Sequence, residues 1–164
     1  MVAGDTNIGP GRGSDVFVRD RQTWRTVRVS VDSFGKQASE GGACQDAFCN
    51  YRTDVSISSN GRYVTWNTSA SDLVADDTNG LDDIFVRDRD TDADGVFDES
   101  GAVSTERVSV AGCATQANHG SFSPFISSDG RFAAFSSQAS DLVADDTNGF
   151  RDVFVHERED APRS

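Results

Sequence analysis

Short runs of β-branched and aromatic residues, five to seven long and bounded by Gly, Asn, Asp or Ser, follow one another along this chain. Their β-branched and aromatic composition, their length and their bounding turn residues are those of β-strands. The runs also return in a fixed order. Residues 54–59, with Val55 and Ile57, match residues 123–128, with Phe125 and Ile126. Residues 62–66 match 131–135, so that Trp66 corresponds to Phe135. A third run appears three times, at 15–21, 83–89 and 152–158, each opening on Asp and carrying Phe17, Phe85 or Phe154 at the same place. A fourth appears twice, at 26–31 and 105–110. The segment from Ala70 to Gly80 recurs unchanged from Ala139 to Gly149, 69 residues on. No stretch sustains a 3.6-residue period, so almost no helix is expected.

Asn60-Gly61 and Asp129-Gly130 separate the first run from the second. Such dipeptides favour a two-residue type I′ hairpin turn, because both residues tolerate positive φ. The repeat is therefore an antiparallel four-stranded sheet. The chain reads as strands three and four of one sheet, a complete set of four, then strands one to three of another, nine strands in all. Four-stranded sheets repeated radially make a β-propeller, which closes with ~4–8 blades. The expected fold is thus all-β, an incomplete or open propeller of roughly two and a quarter four-stranded antiparallel blades. Residues 1–53 hold a partial blade and a long loop, 54–110 the complete blade, and 111–164 a partial blade and tail. A chain that starts and stops within a blade reads as a piece of a longer polypeptide, or as an open unit that self-associates through its unpaired strand edges.

The run Ser127-Ser128-Asp129-Gly130-Arg131-Phe132-Ala133-Ala134-Phe135, followed by Asp146-Thr147-Asn148-Gly149 and Asp152-Val153-Phe154-Val155, resembles the TolB-like (WD40-like) β-propeller repeat. The resemblance covers nearly all of residues 1–158 and departs from that repeat in having Ser rather than Pro before the turn. It implies a propeller fold but no particular function, since such propellers serve many roles.

The strongest chemical motif lies in the loop from Asp90 to Glu99. Asp90, Asp92 and Asp94 fall at alternate positions, Gly95 follows, and Asp98 closes the run. Calcium takes 6–8 oxygen ligands, and carboxylates at positions 1, 3 and 5 converge when a glycine at 6 permits the sharp turn. Position 7 supplies a backbone carbonyl, here Val96, and position 9 a further carboxylate, here Asp98. Gly101 stands where an EF-hand has its bidentate Glu, so the run resembles instead the shorter calcium loops of integrin-type propellers and thrombospondin-type repeats. The expected ligands are Asp90, Asp92, Asp94, Val96 and Asp98, and the expected cofactor is Ca2+. The alternative is a solvated acidic hairpin. A second candidate set is Asp77, Asn79 and Asp83, repeated as Asp146, Asn148 and Asp152 and in part as Asp5, Asn7 and Asp15. Its competing reading is a turn in which each side chain caps backbone amides.

Catalytic patterns are weak. His119 beside Ser121 lacks a nucleophile elbow, and His156 stands where the other copies have Arg19 and Arg87. The Arg-Asp-Arg endings of the third run read as exposed charges that guard the sheet edge. Trp24 and Trp66 read as packing residues rather than a sugar platform. A net charge of −12 argues against nucleic acid, which needs a basic face, and no apolar run is long enough to span a bilayer. Cys44 and Cys49 are close enough in sequence for a local disulfide, with Cys113 left over. Residues Met1 to Asp5 carry neither the basic nor the apolar part of a secretory leader. The expectation is a non-enzymatic, calcium-binding scaffold that recognises a protein or glycan through its loops, in the periplasm or outside the cell. The rival is the propeller portion of a secreted peptidase or glycosidase whose catalytic residues lie outside this chain.

Overall fold

A computed structural model describes residues 15–38 and 53–158. They form nine strands and one 3-10 turn, Gly112–Ala114. A two-stranded sheet comes first, β1 (Phe17–Arg19) with β2 (Thr26–Arg28). A four-stranded sheet follows in the order β3 (Val55–Ile57), β4 (Tyr63–Thr68), β5 (Asp83–Asp88), β6 (Ser104–Arg107). A three-stranded sheet ends the chain, β7 (Ser121–Ile126), β8 (Phe132–Ser137), β9 (Asp152–Glu157). All neighbours are antiparallel. The expected all-β class, strand count and two-four-three grouping are therefore observed, and the sheets do not close on themselves among the described residues.

The sheets stack face to face because the second sheet is apolar on both faces. Trp66, Val64 and Phe85 of the second sheet meet Val16 and Val29 of the first, with Ala70 and Leu73 filling the gap. The opposite face of the second sheet, with Tyr63, Ile84, Val86 and Val108, meets Ala133 and Phe135 of the third. The repeat is visible in the packing itself. Trp66 stacks on Phe85 with ring centroids 6.1 Å apart, and their counterparts Phe135 and Phe154 stack at 5.9 Å. Each such side chain taken out of water is worth about 2 kcal/mol, so the stacking, more than the three-residue ladder of β1 and β2, holds the layers together.

Two sequence expectations are corrected by local hydrogen bonding. The fourth strand ends at Arg107 rather than Val110, because the Ser109 hydroxyl takes the Ile84 amide at 3.0 Å and displaces the ladder. Ser30 does the same to the Val16 amide at 3.0 Å. The hairpin turns are also not type I′. Gly61 and Gly130 have φ of +77° and +78°, while Asn60 and Asp129 do not have positive φ. Their side chains explain the difference. Asn60 Oδ1 accepts from the Arg62 amide at 3.0 Å, and the Ser58 hydroxyl accepts from the Tyr63 amide at 2.9 Å while donating to Asn60. Ser127, Asp129, Arg131 and Phe132 repeat that arrangement. An Asx turn held by a serine thus leaves only glycine in the left-handed region.

Candidate metal centre

The β5–β6 connection contains the acidic run. Its geometry is set by Asp90, which is buried while Asp92 and Asp94 are exposed. The Asp90 amide donates to Asp88 Oδ1 at 3.0 Å. Its own carboxylate accepts from the Asp94 and Gly95 amides, both at 3.1 Å, and Asp94 Oδ1 accepts from the Val96 amide at 2.8 Å. Positive φ at Ala93 (59°) and Gly95 (89°) turns the chain back at the loop tip. The result brings carboxylate oxygens of Asp90, Asp92 and Asp94 within 4.8 Å of one another. Three carboxylates this close supply three of the 6–8 oxygens a calcium ion takes, leaving the rest to carbonyls and water.

Asp98 does not join that trio. It makes a two-pronged pair with Arg89, Nε to Oδ1 at 3.0 Å and Nη2 to Oδ2 at 2.6 Å. Both side chains are more than nine-tenths buried. Arg89 spends its remaining reach on the Gly61 carbonyl, at 2.7 Å, and lies 4.9 Å over the Phe97 ring. Val96 enters through its amide, and Glu99 stays exposed.

Arg89 is one residue that sequence reasoning misplaced. The Arg-Asp-Arg ending of β5 is buried rather than an exposed charge guard. Arg87 reaches the segment that follows β2 and donates to the Asp32 carbonyl at 2.8 Å, and Asp88 pairs with Arg62 at 2.7 Å. Arg158 occupies the equivalent of Arg89, donating to the Gly130 carbonyl at 2.8 Å and pairing with Glu106. The signal available in the sequence was the recurrence of both the arginine and the turn glycine at fixed spacing. Trp24 also departs from expectation. It is 69 % exposed with Arg19 above its ring, whereas Trp66 is core.

The second candidate set resolves largely into turn chemistry. Asn79 and Asn148 accept the amides of Leu81 and Phe150 at 3.0 and 2.6 Å, each closing a turn. Asp83 binds the Ser109 hydroxyl at 2.5 Å and lies 3.5 Å from Arg107. Asp15 repeats this with Ser30 at 3.0 Å and Arg28 at 3.5 Å. Asp152 instead accepts from Asn148 at 2.9 Å, and Asp146 is partly buried. Asp5 and Asn7, like Cys44 and Cys49, lie outside the described residues. His119 is exposed while the Ser121 hydroxyl is buried, and His156 is partly buried on the side of β9 that faces the second sheet.

Asp77 differs from its neighbours. It is 5 % exposed, and neither carboxylate oxygen has a hydrogen-bond partner, although Arg107 stands 3.4 Å away. Burial first, and the Asp83 carboxylate second, push its carboxyl up to about 6, against the pull of Arg107. A carboxyl raised in the folded state favours folding while protonated. That contribution is complete below an unfolded value of about 4 and is lost as pH rises through about 6. Asp77→Asn holds the neutral form at every pH, while Asp83 keeps Arg107 paired. The variant is expected to gain on the order of 1–2 kcal/mol at neutral pH and to show a flatter stability profile between about pH 4 and 6. Urea melts of both proteins across that range check it. Parallel profiles would refute the assignment.

Comparison with known proteins finds no matching family model, no matching curated protein and no matching solved structure. Among the described residues no helix is long and apolar enough to cross a membrane.

Proposed function

We propose that this chain is a calcium-binding β-propeller unit that serves as a non-catalytic scaffold, presenting its loops to a protein or glycan partner. The observation that carries the reading is the convergence of Asp90, Asp92 and Asp94 within 4.8 Å at the tip of one hairpin. Without a counter-ion three carboxylates at that spacing repel one another. A bound Ca2+ removes the repulsion and ties the β5–β6 hairpin together, which is a structural rather than a catalytic role. The propeller part of the reading is supported by the four-stranded repeat and by two successive face-to-face sheet contacts. With Asp98 committed to Arg89 the ligand set is Asp90, Asp92 and Asp94 with the Val96 carbonyl and water. So sparse a set, with two of its three carboxylates exposed, suits the weak, about 0.1–1 mM, affinities of extracellular modules, in keeping with a periplasmic or extracellular setting.

Calorimetric titration with CaCl2, beside thermal melts in calcium and in chelator, tests this. Saturable heat is expected. At free calcium tenfold above Kd the site adds about 1.4 kcal/mol, or roughly 3–6 °C in Tm. Both responses should vanish in Asp92→Ala/Asp94→Ala. Asp98→Asn should lower Tm yet retain the heat. No heat with the wild-type chain would leave an acidic hairpin and remove the calcium reading.

A further inference from the structure

The stacking of the three sheets leaves one repeat-equivalent face uncovered. In the second sheet, Tyr63, Ile84 and Val86 point to the side covered by the third, and all are fully buried. Their counterparts one repeat later are Phe132, Val153 and Val155. The register of β7, β8 and β9 places Phe125 and Ala134 on the same side, opposite to Phe135 and Phe154. No further sheet among the described residues covers this face, although Arg131 lies 4.7 Å over the Phe132 ring. Val153 is 76 % exposed, Val155 66 % and Phe125 67 %, against 0 % for Ile84 and Val86.

The face is also more apolar than its covered equivalent. Phe125 stands where the second sheet has Ser56, Ala134 where it has Thr65, and Phe132 where it has Tyr63. A contiguous patch of this kind on one side of a sheet marks an interaction surface. The chain itself specifies what covers such a face. At both observed contacts the covering sheet presents the phenylalanine of its third strand, Phe85 against the first sheet and Phe154 against the second. The remaining copy of that residue is Phe17 in β1. It points to the side of the first sheet away from Val16 and Val18, and it is 39 % exposed.

We propose that the outer face of β7–β9 docks the β1–β2 sheet of a second copy of this chain, head to tail, continuing the stacking seen twice within one molecule. The contact is heterologous: Val153 and Val155 of one copy meet Phe17 of the next, so association extends beyond a dimer or closes into a ring. It uses sheet faces, not the strand edges considered from the sequence, and does not depend on calcium.

Light scattering coupled to size-exclusion chromatography, over a wide range of protein concentration, tests the proposal on the intact chain. The wild type is expected to rise in mass with concentration, through dimer to larger species. Val153→Asp/Val155→Asp and Phe17→Ser should each remain monomeric, with circular dichroism spectra like the wild type because the substituted positions are exposed. An equimolar mixture of the two variants should recover a dimer and nothing larger, since each supplies one intact face. A monomeric wild type at every concentration overturns the proposal. So does association that survives Val153→Asp/Val155→Asp. Self-association of Phe17→Ser alone would show face-to-face pairing of two β7–β9 sheets and would overturn the head-to-tail arrangement.

Discussion

Gly130→Ala is expected to lower the stability of this protein by about 3 kcal/mol or more, roughly 10 °C in Tm, while Gly61→Ala costs about 1 kcal/mol. The two glycines occupy the same place in the repeat and share a left-handed backbone. They differ in what lies above them. A Cβ on Gly130 would come within 1.9 Å of Tyr63 Cδ2 and 2.3 Å of Cε2, whereas one on Gly61 would meet its nearest atom, on Phe97, at 3.8 Å. The Tyr63 ring has nowhere to retreat. It is fully buried, with the guanidinium groups of Arg62 at 4.9 Å and Arg158 at 4.5 Å. The turn of the third sheet is also tied to that of the second, since the Ser59 hydroxyl donates to the Ser128 carbonyl at 2.9 Å. Thermal melts of the two variants side by side make the check. Equal losses would mean that backbone conformation alone is at stake and that the two sheets are not in close contact here.

Arg89→Ala carries the second large effect, about 3–5 kcal/mol, because it strands the Asp98 carboxylate in a buried setting without its partner. The same substitution frees the Gly61 carbonyl, so the β3–β4 turn and the β5–β6 hairpin loosen together. Removing both charges, as in Arg89→Met/Asp98→Asn, is expected to recover much of the loss, since no uncompensated charge then remains. Denaturant midpoints for the single and double variants give the coupling. If the double variant is no more stable than Arg89→Ala, the loss comes from the missing packing of the long side chain over Phe97 and not from the buried charge.

The contrast between these two sites and the strand pattern shows which features were legible beforehand. β-branched and aromatic content and the 69-residue recurrence identified nine strands and their grouping, because each strand was bounded by its own turn residues. The metal candidate was legible in part. Spacing alone placed Asp90, Asp92 and Asp94 together, since three carboxylates at alternate positions before a glycine leave the loop few other ways to fold. Asp98 was read as a fourth carboxylate ligand, and the structure pairs it with Arg89. Nothing in the local run distinguished a carboxylate facing a cation from one facing a guanidinium on the neighbouring strand. The same blindness applied to Arg87-Asp88-Arg89, which looks solvated when only its own strand is considered and is buried, whereas Arg19-Asp20-Arg21 is exposed as expected. Asp77 illustrates the opposite case. Its surrounding segment is identical to that of Asp146, yet burial differs because, among the described residues, the third sheet lacks a counterpart of β6, which carries Arg107 in the second.

What the amino-acid order determined by itself is therefore short-range: strand positions, the turn dipeptides, the acidic hairpin and the repeat that orders them. These follow from backbone preference and periodicity over a few residues. Tertiary structure decided which of two chemically identical copies is buried, which arginine meets which carboxylate, and which glycine faces a ring. Those outcomes depend on the sheet stacked above or below, tens of residues away, where burial sets the strength of each charge and the tolerance for each atom.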